Sequence, residues 1–277
     1  MFLHSLSRTL DLSRPRIVGI INATPDSYVA SSRAVSMEGV LSKAQQYIDE
    51  GADILEIGGE STGPGSPDVS LEEERTRVID AVKEVRNSFP DMCISVDTWK
   101  SSIAKEALSV GADLINDITA GRGDPAMFSV IAKAQCPVVL MYSKDASART
   151  TAVAMQYDDV IQTIHDFLEQ RIILAVKAGI DLRQIIVDPG LGHFVSSESK
   201  YSYTILDQLR RFTDLGPVLV SPSRKSFLAG PENLPVSERL PATLSATLTA
   251  VKNGASFIRT HDVGATKKAL FTAKLGE

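Results

Sequence analysis

Within LVSPSRKSFL (219–228), three hydroxyls and two cations crowd into six residues directly after an apolar run. Such a change from apolar to polar is what a chain does where a buried strand delivers chemistry to a surface. The same change recurs along the sequence. Apolar stretches run into Asn22, Glu60 to Thr62, Asp97, Asn116 and Asp117, Tyr142, Asp188, Ser223 to Lys225, and Arg259 with His261. Acids and amides of this kind orient a polar ligand, and Lys, Arg and His meet an anion. No GxSxG elbow or GxxxxGK[ST] loop is present, and the four His are too scattered to mark a metal centre.

One polar residue at a strand end carries little weight, since Asp and Asn often serve there as turn formers or helix caps. Asp97 precedes a helix start near Lys100 and capping could explain it, and Asp188 in VDPG could be a plain turn residue. Capping does not explain why nearly every strand ends this way. His4 and His165 read as surface residues, and Trp99 as a packing or rim residue. The run 71–86 reads as a solvated helix face with opposite charges at turn spacing.

Elements that could hold these groups together are visible as an imperfect repeat. EGADILEIGG (50–59), VGADLINDI (110–118), AGIDLRQIIVDPG (178–190) and NGASFIRTHD (253–262) each place Gly after a helical stretch and before an apolar run. Strands at 16–22, 93–97, 137–143 and 216–221 bring the count to eight. Helices are expected near 36–50, 70–88, 100–109, 124–134, 158–178, 200–212, 241–253 and 264–273. Continuous apolar strands alternating with amphipathic helices imply a parallel sheet covered on both faces. Eight such units predict a closed (β/α)8 TIM barrel, with a doubly wound open sheet as the alternative. No linker divides the chain, so residues 1–277 are expected to form a single domain.

Composition narrows the function classes. A hydrophobic content of 43% supports a substantial core, and a net charge of −5 argues against a nucleic-acid partner. Cys93 and Cys136 sit beside apolar runs as small core residues, which suits a cytoplasmic location. No segment approaches the ~20 apolar residues of a membrane span, so no membrane partner is expected.

At these residues the chain resembles the dihydropteroate synthase family. The matching stretches are GIINATPDSY (19–28), EGADILEIGGEST with PG (50–65), SVDTWK (95–100), GADLINDI (111–118), VVLM (138–141), IIVDPGLG (185–192), LVSPSRKSFL (219–228) and IRTHDV (258–263). They run in order through nearly the whole chain. DPGLGHFVS and LVSPSRKSFL are especially similar to the branch that includes mobile sulfonamide-resistant enzymes.

The resemblance implies a folate-biosynthesis transferase that joins 6-hydroxymethyl-7,8-dihydropterin pyrophosphate to p-aminobenzoate and releases pyrophosphate. By that resemblance Asp188, Asp97, Asn116 and Lys225 would bind the pterin between apolar walls from Ile118 and Met141. Asn22, Arg259 and His261 would bind pyrophosphate, with Asn22 also a ligand of Mg2+. Tyr28, Thr62, Pro64 and Ser226 would seat p-aminobenzoate. The catalytic set would be Asp97, Lys225, Arg259 and His261, and the assembly a homodimer through late barrel helices. Two alternatives are a pterin-binding paralogue with weak or no synthase activity and a pterin-dependent methyltransferase. The latter has no need of the SRK and RTH elements.

The chain departs from the family pattern at its loops. VASS (29–32) stands where Ser-Asp-Gly-Gly is usual, Gly63 where an Arg is usual, and Tyr142-Ser143 where His-Met is usual. His193 occupies the aromatic position of the DPGxGF turn, with Phe194 beside it, and Tyr28 replaces Phe.

Overall fold

Strands that are apolar at every residue have both faces to bury, and pairing in parallel beneath a layer of helices achieves it. The computed structural model describes residues 2–23 and 36–276. A short antiparallel hairpin comes first, β1 (Phe2–His4) with β2 (Thr9–Asp11). Eight parallel strands follow: β3 (Arg16–Asn22), β4 (Ile54–Gly58), β5 (Cys93–Asp97), β6 (Leu114–Asp117), β7 (Val138–Met141), β8 (Ile185–Asp188), β9 (Val218–Val220) and β10 (Ala255–Thr260). They pair in chain order and β10 returns to β3, so the expected barrel is closed and the open-sheet alternative is excluded.

One helix follows each strand: α1 (Met37–Glu50), α2 (Leu71–Ser88), α3 (Ser101–Ser109), α4 (Met127–Ala134), α5 (Val160–Lys177), α6 (Ser199–Asp207), α7 (Leu240–Lys252) and α8 (Val263–Thr272). Ser70 caps α2 by accepting from the Glu73 N–H, as the S-x-x-E spacing predicts. The Glu73 side chain turns instead to Arg77, one turn on. Two helices are shorter than expected. α4 begins at Met127 because Asp124 is engaged elsewhere, accepting from the backbone N–H of Ser101 and of Ala126, each at 2.9 Å. α6 stops at Asp207, and Leu209–Phe212 continue as a 3₁₀ turn.

Because side chains alternate across a strand, one parity of each strand faces the barrel axis. The lowest inward layer is apolar: Val18, Ile54, Cys93, Leu114, Val139, Ile186, Leu219 and Phe257 cluster with Leu3 and Leu10 of the hairpin. The hairpin therefore plugs the barrel floor, a structural task for an N-terminal stretch that precedes the first expected strand. Two residues further along the strands the same parity delivers Glu56, Ser95, Asn116, Met141, Asp188 and Arg259, and two further still Asn22, Gly58, Asp97 and His261. A void of about 10 Å³ separates Glu56 and Ser95 from the floor, room for no more than about one water.

Candidate active site

Register places the expected groups side by side. Asn22 pairs with Gly58, Gly58 with Asp97, Asp97 with Asn116, and Met141 with Asp188. Gly58 leaves the rim open: a Cβ there would stand 3.9 Å from Asn22 Oδ1 and 3.6 Å from the Asp97 Cβ. From β10 the Arg259 guanidinium crosses the barrel, donating through Nη2 to Asp97 Oδ2 at 2.7 Å and through Nε to Glu56. Glu56, almost wholly buried, also accepts from Ser95 Oγ and from Asn116 Nδ2, each at 3.2 Å. Ile118 and Met141 are buried beside these groups.

Asp188 sits at the far wall. Its backbone carbonyl accepts from the Tyr142 N–H at 2.8 Å, and its Oδ1 accepts from the Gly190 N–H at 2.7 Å, so it does form the turn that VDPG suggested. The turn needs glycine: Gly190 has φ +69, and a Cβ there would lie 2.5 Å from the Tyr142 carbonyl oxygen. No ion pair closes on Asp188 among the described residues. Lys225 faces this wall, its Nζ donating to the Leu191 carbonyl at 3.3 Å and lying 5.1 Å from the Phe194 ring centroid. Phe194, rather than His193, is thus the aromatic against the lysine. Ser226 follows at the start of the turn Ser226–Ala229, and a Cβ on Gly192 would lie 3.5 Å from its Oγ.

Burial dominates the electrostatics. It raises Asp188 to about 6, partly offset by the attraction of Lys225. It lowers Lys225 to about 8 against the opposing pull of Asp188. Asp97 is pushed upward, first by burial and then by Glu56, while Arg259 pulls it back. His261 falls to about 4 through burial and the neighbouring Arg259 cation, so its ring is neutral at pH 7. Ser223 Oγ accepts from the His261 backbone N–H at 3.2 Å and lies 3.0 Å from its Nδ1. The imidazole is therefore a fixed hydrogen-bonding group rather than a cation. Tyr47 OH holds the His261 carbonyl at 3.0 Å.

Some strand-end residues turn away from this pocket. Arg224 has φ 54, and its guanidinium makes a two-pronged pair with Asp262 at 2.9 and 2.7 Å. The arginine of SRK thus fastens the end of β10 rather than the mouth. Asp117 is fully buried and accepts from Thr119 N–H, Thr119 Oγ1 and Gly121 N–H, which makes it a turn former. Asp97 is not a helix cap: α3 begins at Ser101 without a side-chain cap, and the hydroxyl of Thr98, not Asp97, accepts from the Lys100 N–H. Thr62 and Pro64 lie half-buried on the loop after β4, and the Thr62 carbonyl accepts from the Thr150 N–H at 3.1 Å. Tyr28 and VASS (29–32) lie outside the described residues.

Glu56 is the residue that sequence reasoning missed. Its signal was a lone acid in the buried strand ILEIG at the same parity as Gly58. An unpaired carboxylate is too costly to bury, so a cation had to be waiting inside the barrel.

A magnesium ion takes one or two protein oxygens together with water and substrate phosphates, in octahedral geometry. The Asn22 amide oxygen at the open rim beside Asp97 suits that pattern. Among the described residues, the clustered His, Cys or acidic groups able to hold a metal are His165, Asp166 and Glu169 on α5, away from the strand ends that carry Asn22.

Residues 18–261 match the family described as pterin binding enzyme. The chain is 39% identical over 271 residues to a dihydropteroate synthase of Haemophilus influenzae, covering 98% of this chain and 97% of that one. To the Bacillus subtilis dihydropteroate synthase it is 37% identical over 248 residues, covering 89% and 83%. Among solved structures, the Yersinia pestis dihydropteroate synthase in complex with a sulfonamide drug superposes with a TM-score of 0.93 at 34% identity, covering 99% and 98%. The Xanthomonas albilineans dihydropteroate synthase with 4-aminobenzoic acid gives 0.90 at 36% identity, covering 99% and 97%.

Proposed function

The chain belongs to the pterin-binding enzyme family, and from that premise we propose how its residues divide the work of the reaction. That reaction is the condensation of 6-hydroxymethyl-7,8-dihydropterin pyrophosphate with p-aminobenzoate to 7,8-dihydropteroate and pyrophosphate, a transferase step of folate biosynthesis. One observation carries the assignment of the pterin pocket. Asn116 Oδ1 is buried with no hydrogen-bond partner among the described residues, two strands along the barrel from the Asp188 carboxylate, on which no ion pair among the described residues closes. An unsatisfied buried acceptor costs about 1–3 kcal/mol, which a ligand N–H recovers.

The aminopyrimidinone edge of the pterin presents adjacent N–H donors, and the Asp188 carboxylate accepts two of them in parallel. Asn116 and Asp97 take the remaining ring nitrogens, and Lys225 donates to the carbonyl side. Ile118 and Met141 close on the ring faces. Arg259, held between Glu56 and Asp97, presents its charge toward the diphosphate, while neutral His261 contributes a hydrogen bond rather than a second charge. Asn22 would hold Mg2+, which when bound neutralises charge on the diphosphate.

No protein nucleophile is needed. The methylene C–O bond breaks toward the diphosphate, whose growing charge meets the preorganised Arg259 and the His261 hydrogen bond. The aminobenzoate nitrogen then attacks the methylene, forming C–N and losing its proton. Thr62, Pro64, Ser226 and Tyr28 form its seat, Tyr28 resting on sequence alone. We further assign residues 1–277 to a single pterin-binding domain, the setting to the cytoplasm, and the assembly to a homodimer through the late helices. No described helix is long and apolar enough to cross a membrane. Incubation with the pterin pyrophosphate, Mg2+ and p-aminobenzoate should yield diphosphate and dihydropteroate in equal amounts. Pterin binding without either product would refute the assignment.

A further inference from the structure

The segment between β7 and α5 spans the mouth. It is fixed to the turn after β8: Lys144 N–H donates to the Phe194 carbonyl, and Lys144 Nζ and Thr150 Oγ1 both donate to the His193 carbonyl, each at 2.8 Å. Thr150 also ties it to the loop after β4, its N–H donating to the Thr62 carbonyl at 3.1 Å. Arg149 commits its guanidinium wholly to that loop. It donates to the Ser66 carbonyl, to Glu60 Oε1 at 3.1 Å and to Asp68 Oδ1 at 2.8 Å.

These contacts differ in weight. Asp68 is 97% exposed, and a pair with it contributes little. Glu60 is only 10% exposed, and its other oxygen is already taken by Lys100 Nζ at 2.9 Å and Trp99 Nε1 at 3.3 Å. Removing Arg149 would take a donor from a largely buried carboxylate oxygen of Glu60. Gly63, between Glu60 and Ser66, has no side chain to serve instead.

We propose that Arg149 is a positioning residue that seats the Thr62–Pro64 ledge against which p-aminobenzoate binds, an inference that rests on the reaction assigned above. Arg149 touches no reacting atom; it acts through the loop it holds. The loss should therefore fall on the second substrate. In Arg149→Ala, KM for p-aminobenzoate should rise about tenfold, with kcat changed less than about twofold and KM for the pterin pyrophosphate unaltered. Hydrogen exchange at residues 62–66 should quicken, and Arg149→Lys should recover most of the lost affinity by reaching Glu60. An unchanged aminobenzoate KM in Arg149→Ala would overturn the proposal. So would an equal rise in both KM values, which signals general loosening. If the wild-type protein made no dihydropteroate, the reaction and this role would fall together, yet the exchange measurement would still read the Arg149 anchor by itself.

Discussion

Asp188 and Lys225 lie at the ends of neighbouring strands, β8 and β9, and burial brings their titrations toward neutrality from opposite sides. Asp188 must be ionised to accept two N–H groups and does so above about 6, while Lys225 donates as a cation below about 8. Affinity for 6-hydroxymethyl-7,8-dihydropterin, which carries no diphosphate, should therefore peak between these values and fall on both sides. A titration calorimetry series flat from pH 5 to 9 would contradict this. Glu56 sets the charge balance next to them. Because it raises Asp97, the change Glu56→Gln should move Asp97 titration downward, as read from its carboxyl 13C shift. It should also lower kcat/KM about a hundredfold by freeing Arg259 from its fixed aim. Asn22, Asp97, Asn116 and Asp188 were legible as inward-facing strand ends because parity and position suffice to aim them, whereas Asp117, one residue out of phase with Asn116, turns away. Glu56 was not, since one acid among apolar neighbours looks like an interruption until Arg259, 203 residues away, is seen to meet it. Arg224 was misleading for a local reason: its positive φ turns the side chain from the mouth to Asp262.

The strands and helices were largely readable because four units repeat a pattern of helix, Gly and buried strand and the remaining strands are continuous apolar runs, and their observed limits differ mainly where a side chain commits elsewhere. Asp124 delays α4 through contacts with the next-door α3, which no local pattern announces. The floor hairpin was missed for a different reason: two three-residue strands offer too few alternations to register, and Leu3 and Leu10 acquire a core only once the barrel has closed. Close packing between elements is equally silent in sequence. Gly19 on β3 lets the Tyr47 ring of α1 lie directly on the strand, where an added Cβ would come within 2.7 Å of the ring. Tyr47 in turn holds the His261 carbonyl. Gly19→Ala should therefore cost about 1–3 kcal/mol in denaturant unfolding as Tyr47 is displaced. It should also weaken diphosphate inhibition by loosening His261. Unchanged stability and inhibition together would show that the contact is slack.

The molecule as a whole separates its two ends, and the proposed dimer adds a third surface. Phe271 on α8 is 68% exposed, so a dimer through the late helices would cover it. Phe271→Glu should then shift sedimentation from dimer to monomer, whereas a monomeric wild type would end that assignment. Along the barrel axis, the floor is sealed by apolar side chains and the mouth carries buried charge that the fold would rather not hold. For Asp188 the sign is definite. Its folded value of about 6 lies above the ordinary 3.8, so the native state binds the proton more tightly and the group's contribution to stability falls as pH rises through that interval. At pH 7.5 the ionised carboxylate therefore opposes folding while it serves binding. Asp188→Asn should abolish measurable pterin binding and leave the thermal midpoint at or above the wild-type value. Leu3→Ala, which opens a cavity beneath the barrel, should do the opposite, losing about 2–5 kcal/mol of stability with pterin Kd within about twofold of wild type. If both variants lost stability and binding in parallel, the two ends would be one cooperative unit, and a rigid floor would be part of how the mouth recognises its ligand.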